Sequence, residues 1–259
     1  MPMGASMALK GIEGAMTILH GSQGCATYIR RHMAGHFHEP VDIASSSLSE
    51  EGTVYGGEDN LRKGIENLTR LYAPRMIGVA TTCLAETIGE DVGRIVADIA
   101  AADPSVPPLV AVKSPGYGGS QEEGWYAALM ALVDSFAGAD GSAAPESPFV
   151  VLVLPPLNPG DVRGIRSLLE KIGVSAVLLP DISETLDAGW TAAWDRIPGG
   201  GTTLADLRRL HRAALVLEVG SPPSERLSVG RLLRERFGVP MRGVEVPGGI
   251  YSHISGIDI

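Results

Sequence analysis

Cysteine is nearly missing: the 259 residues hold two, Cys25 and Cys83. Two thiols cannot staple a chain this long, so a disulfide scaffold is excluded. The expected compartment is therefore the reducing cytoplasm. No C-x-x-C pair exists and no histidine pair is suitably spaced, which leaves a structural zinc site without support. Basic residues are outnumbered, with 21 Lys and Arg against 30 Asp and Glu, a formal net charge of -9. No basic run interrupts that balance, so nucleic acid is not an expected partner. Apolar stretches such as Ala213–Leu217 and Phe149–Leu154 fall far short of the ~18 residues that span a bilayer. The first residues lack the basic segment, apolar core and cleavage site of a secretory signal, so no membrane association is expected. Walker A and the dinucleotide G-x-G-x-x-G are absent as well, and no nucleotide site is expected.

What is present describes a globular chain. Hydrophobic residues make up 44% and charged residues 20%, enough to bury a core. Glycine (33) and proline (18) are plentiful, about a fifth of the chain against a usual ~12%. They show no G-x-y period and mark turns. The pattern is strand, glycine turn, helix, repeated. Ala15–His20 reads as a strand, followed by Gly21–Gly24 and a helix from Cys25 to about His36. Val41–Ser45 reads as a strand, 46–57 as a loop and Glu58–Tyr72 as a helix with Leu61, Ile65, Leu68 and Tyr72 on one face. Pro74 stops it. Met76–Ala80 is a strand, and Leu84, Ile88, Val92, Ile95 and Ile99 form one helical stripe. Leu109–Val112 is a strand, and Trp125, Leu129, Leu132, Val133 and Phe136 mark the next helix.

Residues 137–148 are small, polar and proline-bearing, the best linker candidate. The alternation then restarts: strand Phe149–Leu154, a helix through Val162, Ile165, Leu168, Leu169 and Ile172, and strand Ala176–Leu179. Irregular chain covers 185–201. Leu204–Arg212 is helical, Ala214–Val219 a strand, and Val229–Phe237 a helix opened by Ser228. Such alternation implies parallel sheets covered by helices on both faces. The expected fold is α/β, in two units: residues 1–144, carrying both cysteines, and residues 145–259. The second unit reads as truncated at its C-terminal end, since Ile250–Ile259 has neither cap nor stop signal.

Ligands of open parallel sheets gather outside the C-terminal strand ends. In chain order those ends are His20–Cys25, Ser45–Ser47, Thr81–Cys83 and Lys113–Gly116. Both cysteines lie there, each opening a helix, where backbone N–H groups favour a thiolate. A thiolate suits iron, zinc or nucleophilic chemistry; the competing reading is that both are small buried fillers. Two thiolates cannot complete the four-ligand shell of a cubane cluster, so a second chain or upstream residues would have to contribute. His20, five residues from Cys25, is a weak candidate base for a cysteine hydrolase. His32 and His36 stand at i, i+4 with His38 beyond, and are read as a solvated or interface face. The turns Gly21–Gly24 and Gly116–Gly119 offer phosphate-sized cradles without a nucleotide motif. The acidic pairs Glu50/Glu51 and Glu90/Asp91 are expected to face solvent or a partner, and Trp125, Trp190 and Trp194 to pack in core or interface.

Several motifs, in order, resemble one family. His20-Gly-Ser-Gln-Gly-Cys25 is followed by Tyr28 and Arg30, then by His36-Phe37-x-Glu39-Pro40. Gly56-Gly57 precedes Asn60 and Gly64. Thr81-Thr82-Cys83-Leu84-Ala85-Glu86 precedes Ile88-Gly89-Glu90-Asp91, and Gly200-Gly201-Thr202-Thr203 comes later. Pro2-x-Gly4-Ala5 is similar to the family's C-x-P-x-G-A, begun one residue after its cysteine. Together they resemble component 1 of nitrogenase, in particular its β-type subunits and their cofactor-assembly relatives.

The resemblance implies three Rossmann-like domains per subunit, of which this chain has two, the third being absent. It implies an iron–sulfur cluster, [4Fe-4S] or P-cluster-like, shared with an α-type component 1 subunit in a hetero-oligomer. Cys25 and Cys83 would be its ligands here, matching two of three family cysteines; the first would fall just before Met1. A separate ATP-dependent iron–sulfur reductase would deliver electrons. The serine that can ligate the cluster in β-subunits would fall at Gly116, with Ser114 and Ser120 only nearby. That departure favours a smaller cluster. The implied function is electron relay in a nitrogenase-type oxidoreductase of nitrogen fixation. The alternatives are a non-catalytic scaffold for iron–molybdenum cofactor assembly, or a module that pairs with a partner and binds no metal. The active-site metal cofactor would sit in the α-type partner. No catalytic residue is expected in this chain, and no activity from it alone.

Overall fold

The computed structural model describes residues 1–37, 39, 41–139, 147–189 and 195–245. Chain order begins with α1 (Pro2–Lys10), β1 (Ala15–His20), α2 (Gln23–Ala34), β2 (Ile43–Ser45), α3 (Glu50–Tyr55) and α4 (Glu58–Tyr72). It continues with β3 (Met76–Thr81), α5 (Cys83–Thr87), α6 (Val92–Ala102), β4 (Leu109–Val112) and α7 (Gln121–Phe136). Then come β5 (Val150–Val153), α8 (Pro159–Lys171), β6 (Ala176–Leu179), α9 (Leu204–Arg209), β7 (Leu215–Val219), α10 (Val229–Phe237) and β8 (Met241–Val244).

The strands form two four-stranded, wholly parallel sheets, ordered β2-β1-β3-β4 and β6-β5-β7-β8. Both have the same topology. In each, the chain goes from the second strand in the list to the first, then crosses over to the third. All six residues of β1 and of β3 are buried, as expected of strands covered on both faces. On one face of the first sheet, Leu61, Ile65 and Leu68 of α4 and Val92, Ile95, Val96 and Ile99 of α6 enclose Met16, Ile18, Ile77 and Val79. The other face is covered by α1 and α7. Their cluster runs without interruption into the second sheet, joining Leu9, Leu129 and Leu132 to Val151, Val153 and Val216. Trp125 lies in this shared core, and its indole N–H donates to the Leu154 carbonyl at 2.9 Å.

Three differences from the sequence reading have identifiable causes. Helix α1 carried no periodic signal, because every residue from Gly4 to Lys10 is buried. A helix without a polar face has no amphipathic stripe to detect. It lies backbone to backbone on α7: a Cβ at Gly4 would stand 1.8 Å from the Gln121 carbonyl oxygen, and one at Gly124 1.9 Å from that of Met1. Secondly, the expected loop 46–57 contains α3, whose cap Ser49 accepts the Gly52 N–H at 3.4 Å. Thirdly, the single stripe from Leu84 to Ile99 is two helices. Gly89 turns the chain at φ +78°, and Asp91 starts α6 by accepting the Arg94 N–H at 3.1 Å. Part of the linker (140–146), His38, Trp190, Trp194 and 250–259 lie outside the described residues.

Candidate functional site

In the strand order β2-β1-β3-β4, the connections after β1 and β3 depart in opposite directions. The crevice between their C-terminal ends is the topological switch point of the sheet. The β1–β3 register pairs Leu19 with Ala80 and His20 with Thr81. The two turns beyond are bonded to each other: the Thr82 N–H and hydroxyl both donate to the His20 carbonyl, at 3.1 and 3.0 Å. A Cβ on Gly21 would stand 1.8 Å from Thr82 Oγ1, so only glycine permits this contact.

Each turn leads into a helix bearing one cysteine. Cys25 is the third residue of α2 and Cys83 the first of α5. Cys83 is exposed and Cys25 half-buried, and both are free thiols. Neither is a sealed filler. The Gly116 N–H donates to Cys83 Sγ at 3.1 Å, and the Ser22 hydroxyl lies 3.8 Å from Cys25 Sγ. Met1 joins the same rim. Burial lowers the pKa of its amino group, while Cys83 and Glu123 pull it back up.

The neighbouring serines point elsewhere. Ser114 is fully buried, its N–H bonded to Thr81 Oγ1 at 2.8 Å and its hydroxyl to the Thr81 carbonyl at 2.9 Å. Ser120 caps α7. The residue beside the Cys83 sulfur is Gly116, the position at which the resemblance implies a serine in β-subunits. Around the rim, Tyr28, Val54, Tyr55 and Tyr117 stand exposed. They come from the segments that follow β1, β2 and β4.

His20 is no base for Cys25. Its ring is fully buried, with Nδ1 2.9 Å from Ser46 Oγ and Nε2 2.5 Å from Glu90 Oε2. Glu90 thereby corrects a second expectation: its side chain is 7% exposed and faces inward. Glu50, Glu51 and Asp91 do face solvent, as do His32 and His36. Glu90 and Ser46 were missed as network members. The signal available was the pairing of His20 with Ile88-Gly89-Glu90-Asp91, two motifs noticed separately. Among the described residues, no group of three or more His, Cys, Asp or Glu side chains could hold a metal ion. Two soft sulfur donors on an exposed rim would fit a group shared across a contact surface.

Known proteins are similar to this chain over most of its length. The family described as nitrogenase component 1 type oxidoreductase matches residues 1–253. The chain is 32% identical over 246 residues to the nitrogenase iron-molybdenum cofactor biosynthesis protein NifN of Rippkaea orientalis, covering 92% of this chain and 53% of that protein. It is 39% identical over 227 residues to the nitrogenase molybdenum-iron protein beta chain of Frankia alni, covering 84% and 43%. A solved structure titled "Nitrogenase Cp1 at pH 6.5" superposes with a TM-score of 0.90 at 30% identity, over 98% of this chain and 55% of its own. The chain thus spans about half the length of the curated relatives it matches.

Proposed function

The chain belongs to the nitrogenase component 1 type oxidoreductase family, and from that premise we propose that it is the cluster-bearing part of a β-type component 1 subunit. In this reading Cys25 and Cys83 are ligands of an iron–sulfur cluster shared with an α-type subunit. The remaining ligands come from outside the residues described here. The cluster, when bound, would supply one-electron transfer between an ATP-dependent iron–sulfur reductase and the partner's active site.

The observation that supports this reading is that two free thiols stand in the helices after β1 and β3, whose turns are hydrogen-bonded to each other at the switch point of the sheet. The exposed Tyr28, Tyr55 and Tyr117 suit burial against a partner. The chain's own residues have defined tasks in it. Thr82 and Gly21 hold the two turns together. Gly116 donates to one sulfur. Tyr28, Val54, Tyr55 and Tyr117 present the surface that would exclude water from the shared group.

The test uses the full-length protein, purified anaerobically with its partner. Iron, acid-labile sulfide and a reducible EPR signal are expected in the complex. Cys25→Ala and Cys83→Ala should each lower the iron content without preventing folding. A natively folded complex with no reducible iron centre would falsify the reading, as would alanine variants that keep full iron and the wild-type signal.

Two observations support a second reading, a scaffold for iron–molybdenum cofactor assembly: the similarity to NifN and glycine at position 116, beside Cys83. The two readings separate by turnover. A complete complex that reduces acetylene or dinitrogen with its reductase supports relay; one that binds iron, passes it to an apo-acceptor and turns over no substrate supports scaffolding.

A further inference from the structure

Behind the two cysteine turns lies a buried polar network that the rim itself does not explain. His20, at the end of β1, bonds Ser46 through Nδ1 at 2.9 Å and Glu90 through Nε2 at 2.5 Å. Ser46 Oγ also accepts the Gly21 N–H at 3.0 Å, and the Leu48 N–H donates to the Gly21 carbonyl at 2.9 Å. The turn leading to Cys25 is thus fastened on both its N–H and its carbonyl to the segment after β2. At the other end, Glu90 Oε1 accepts the Gly57 N–H at the start of α4. The Glu90 N–H itself donates to the Ala85 carbonyl at 3.1 Å, and Ala85 lies in α5, which Cys83 opens.

One chain of hydrogen bonds therefore runs from the Cys25 turn through Ser46, His20 and Glu90 to the Cys83 helix. The imidazole has no room to swing away. A Cβ at Gly57 would lie 3.0 Å from His20 Cε1 and 2.3 Å from Leu48 Cδ2, so α4 closes against the ring.

We propose that Glu90, acting through the His20 imidazole, is a positioning residue that fixes the Cys25 and Cys83 segments relative to each other. Buried polar pairs contribute little net stability compared with apolar substitutes, and their use is in selecting one arrangement. Partners behind metal ligands orient those ligands in the same way. The purpose of the device rests on the cluster reading above. The geometry does not, and the thiols report on it with or without iron.

The test uses the full-length protein with its partner and two conservative variants. Glu90→Gln keeps one acceptor and loses the other; His20→Asn keeps the Ser46 bond and loses the Glu90 bond. In iron-depleted protein, alkylation rates of Cys25 and Cys83 are measured separately. In iron-loaded protein, the EPR spectrum and the rate of iron loss to a chelator are measured. Each variant should change the alkylation rates of both thiols, alter the EPR signal and speed iron loss about 10-fold. The double variant should be no worse than either single one, since both break the same chain of bonds. Val162→Ala, in the core against the second sheet, should lower the melting temperature and leave both thiols as in wild type.

Folded variants with unchanged alkylation at both thiols would overturn the proposal, as would a change confined to one. If wild-type protein binds no iron at all, the cluster reading fails, and the alkylation measurements still decide the role of Glu90.

Discussion

The backbone N–H of Gly116 donates to the sulfur of Cys83 at 3.1 Å, and a Cβ on Gly116 would stand at the same 3.1 Å from that atom. The β4–α7 turn thus reaches the thiol with backbone alone. Gly116→Ala should crowd the sulfur and slow maleimide modification of Cys83 severalfold, with Cys25 unchanged. Gly116→Ser adds an oxygen donor beside the same atom. In iron-loaded protein it should change the EPR spectrum in a way that Gly116→Ala does not.

Trp125 joins the halves of the molecule. Its indole donates to the Leu154 carbonyl at 2.9 Å, from a residue 1% exposed. Trp125→Phe keeps most of the apolar bulk and leaves that buried acceptor without its partner. Chemical denaturation should show a loss of about 1–3 kcal/mol. Trp125→Ala also opens a cavity and should cost about 3–5 kcal/mol.

Lys10 should be destabilising at neutral pH. It is 4% exposed on α1, and among the described residues its Nζ has no hydrogen-bond partner. Burial lowers its pKa below the usual lysine value, with Asp42 and Glu39 opposing. The unfolded chain thus holds the proton more tightly than the folded one. Stability should rise as pH climbs from the lowered folded value towards about 10.4, the unfolded one. Lys10→Met removes the buried ammonium and should stabilise the protein at pH 7 by about 1–3 kcal/mol. That advantage should shrink as pH rises through this window, measured by urea denaturation across pH.

Glu90→Ala should be among the more damaging single changes. The carboxylate is 7% exposed and satisfies both the His20 ring and the Gly57 N–H. Deleting it strands two buried groups, and the expected loss is about 3 kcal/mol, since each buried group left unsatisfied costs about 1–3 kcal/mol. Glu90→Gln should lose less, since one acceptor remains. Melting curves of the two variants side by side check the order.

By itself, the amino-acid sequence determined the α/β class, the alternation of strands and helices, and the chemical identity of the rim. Those features are written in neighbours: runs of Val, Ile and Leu, glycine turns, and stripes such as Leu61, Ile65 and Leu68. The cysteines were legible as strand-end residues because each follows an apolar strand across a short turn. Tertiary structure alone decided what crosses the sheets. Nothing local marks α1, buried from Gly4 to Lys10, and nothing local tells Glu90 from the exposed Asp91 beside it. Strand order and helix packing bring His20, Ser46, Glu90 and Gly57 together across 70 positions of chain. The physical reason is range. Propensity and periodicity act over a few residues, whereas a buried polar group is specified by a partner whose position depends on how the whole sheet assembles.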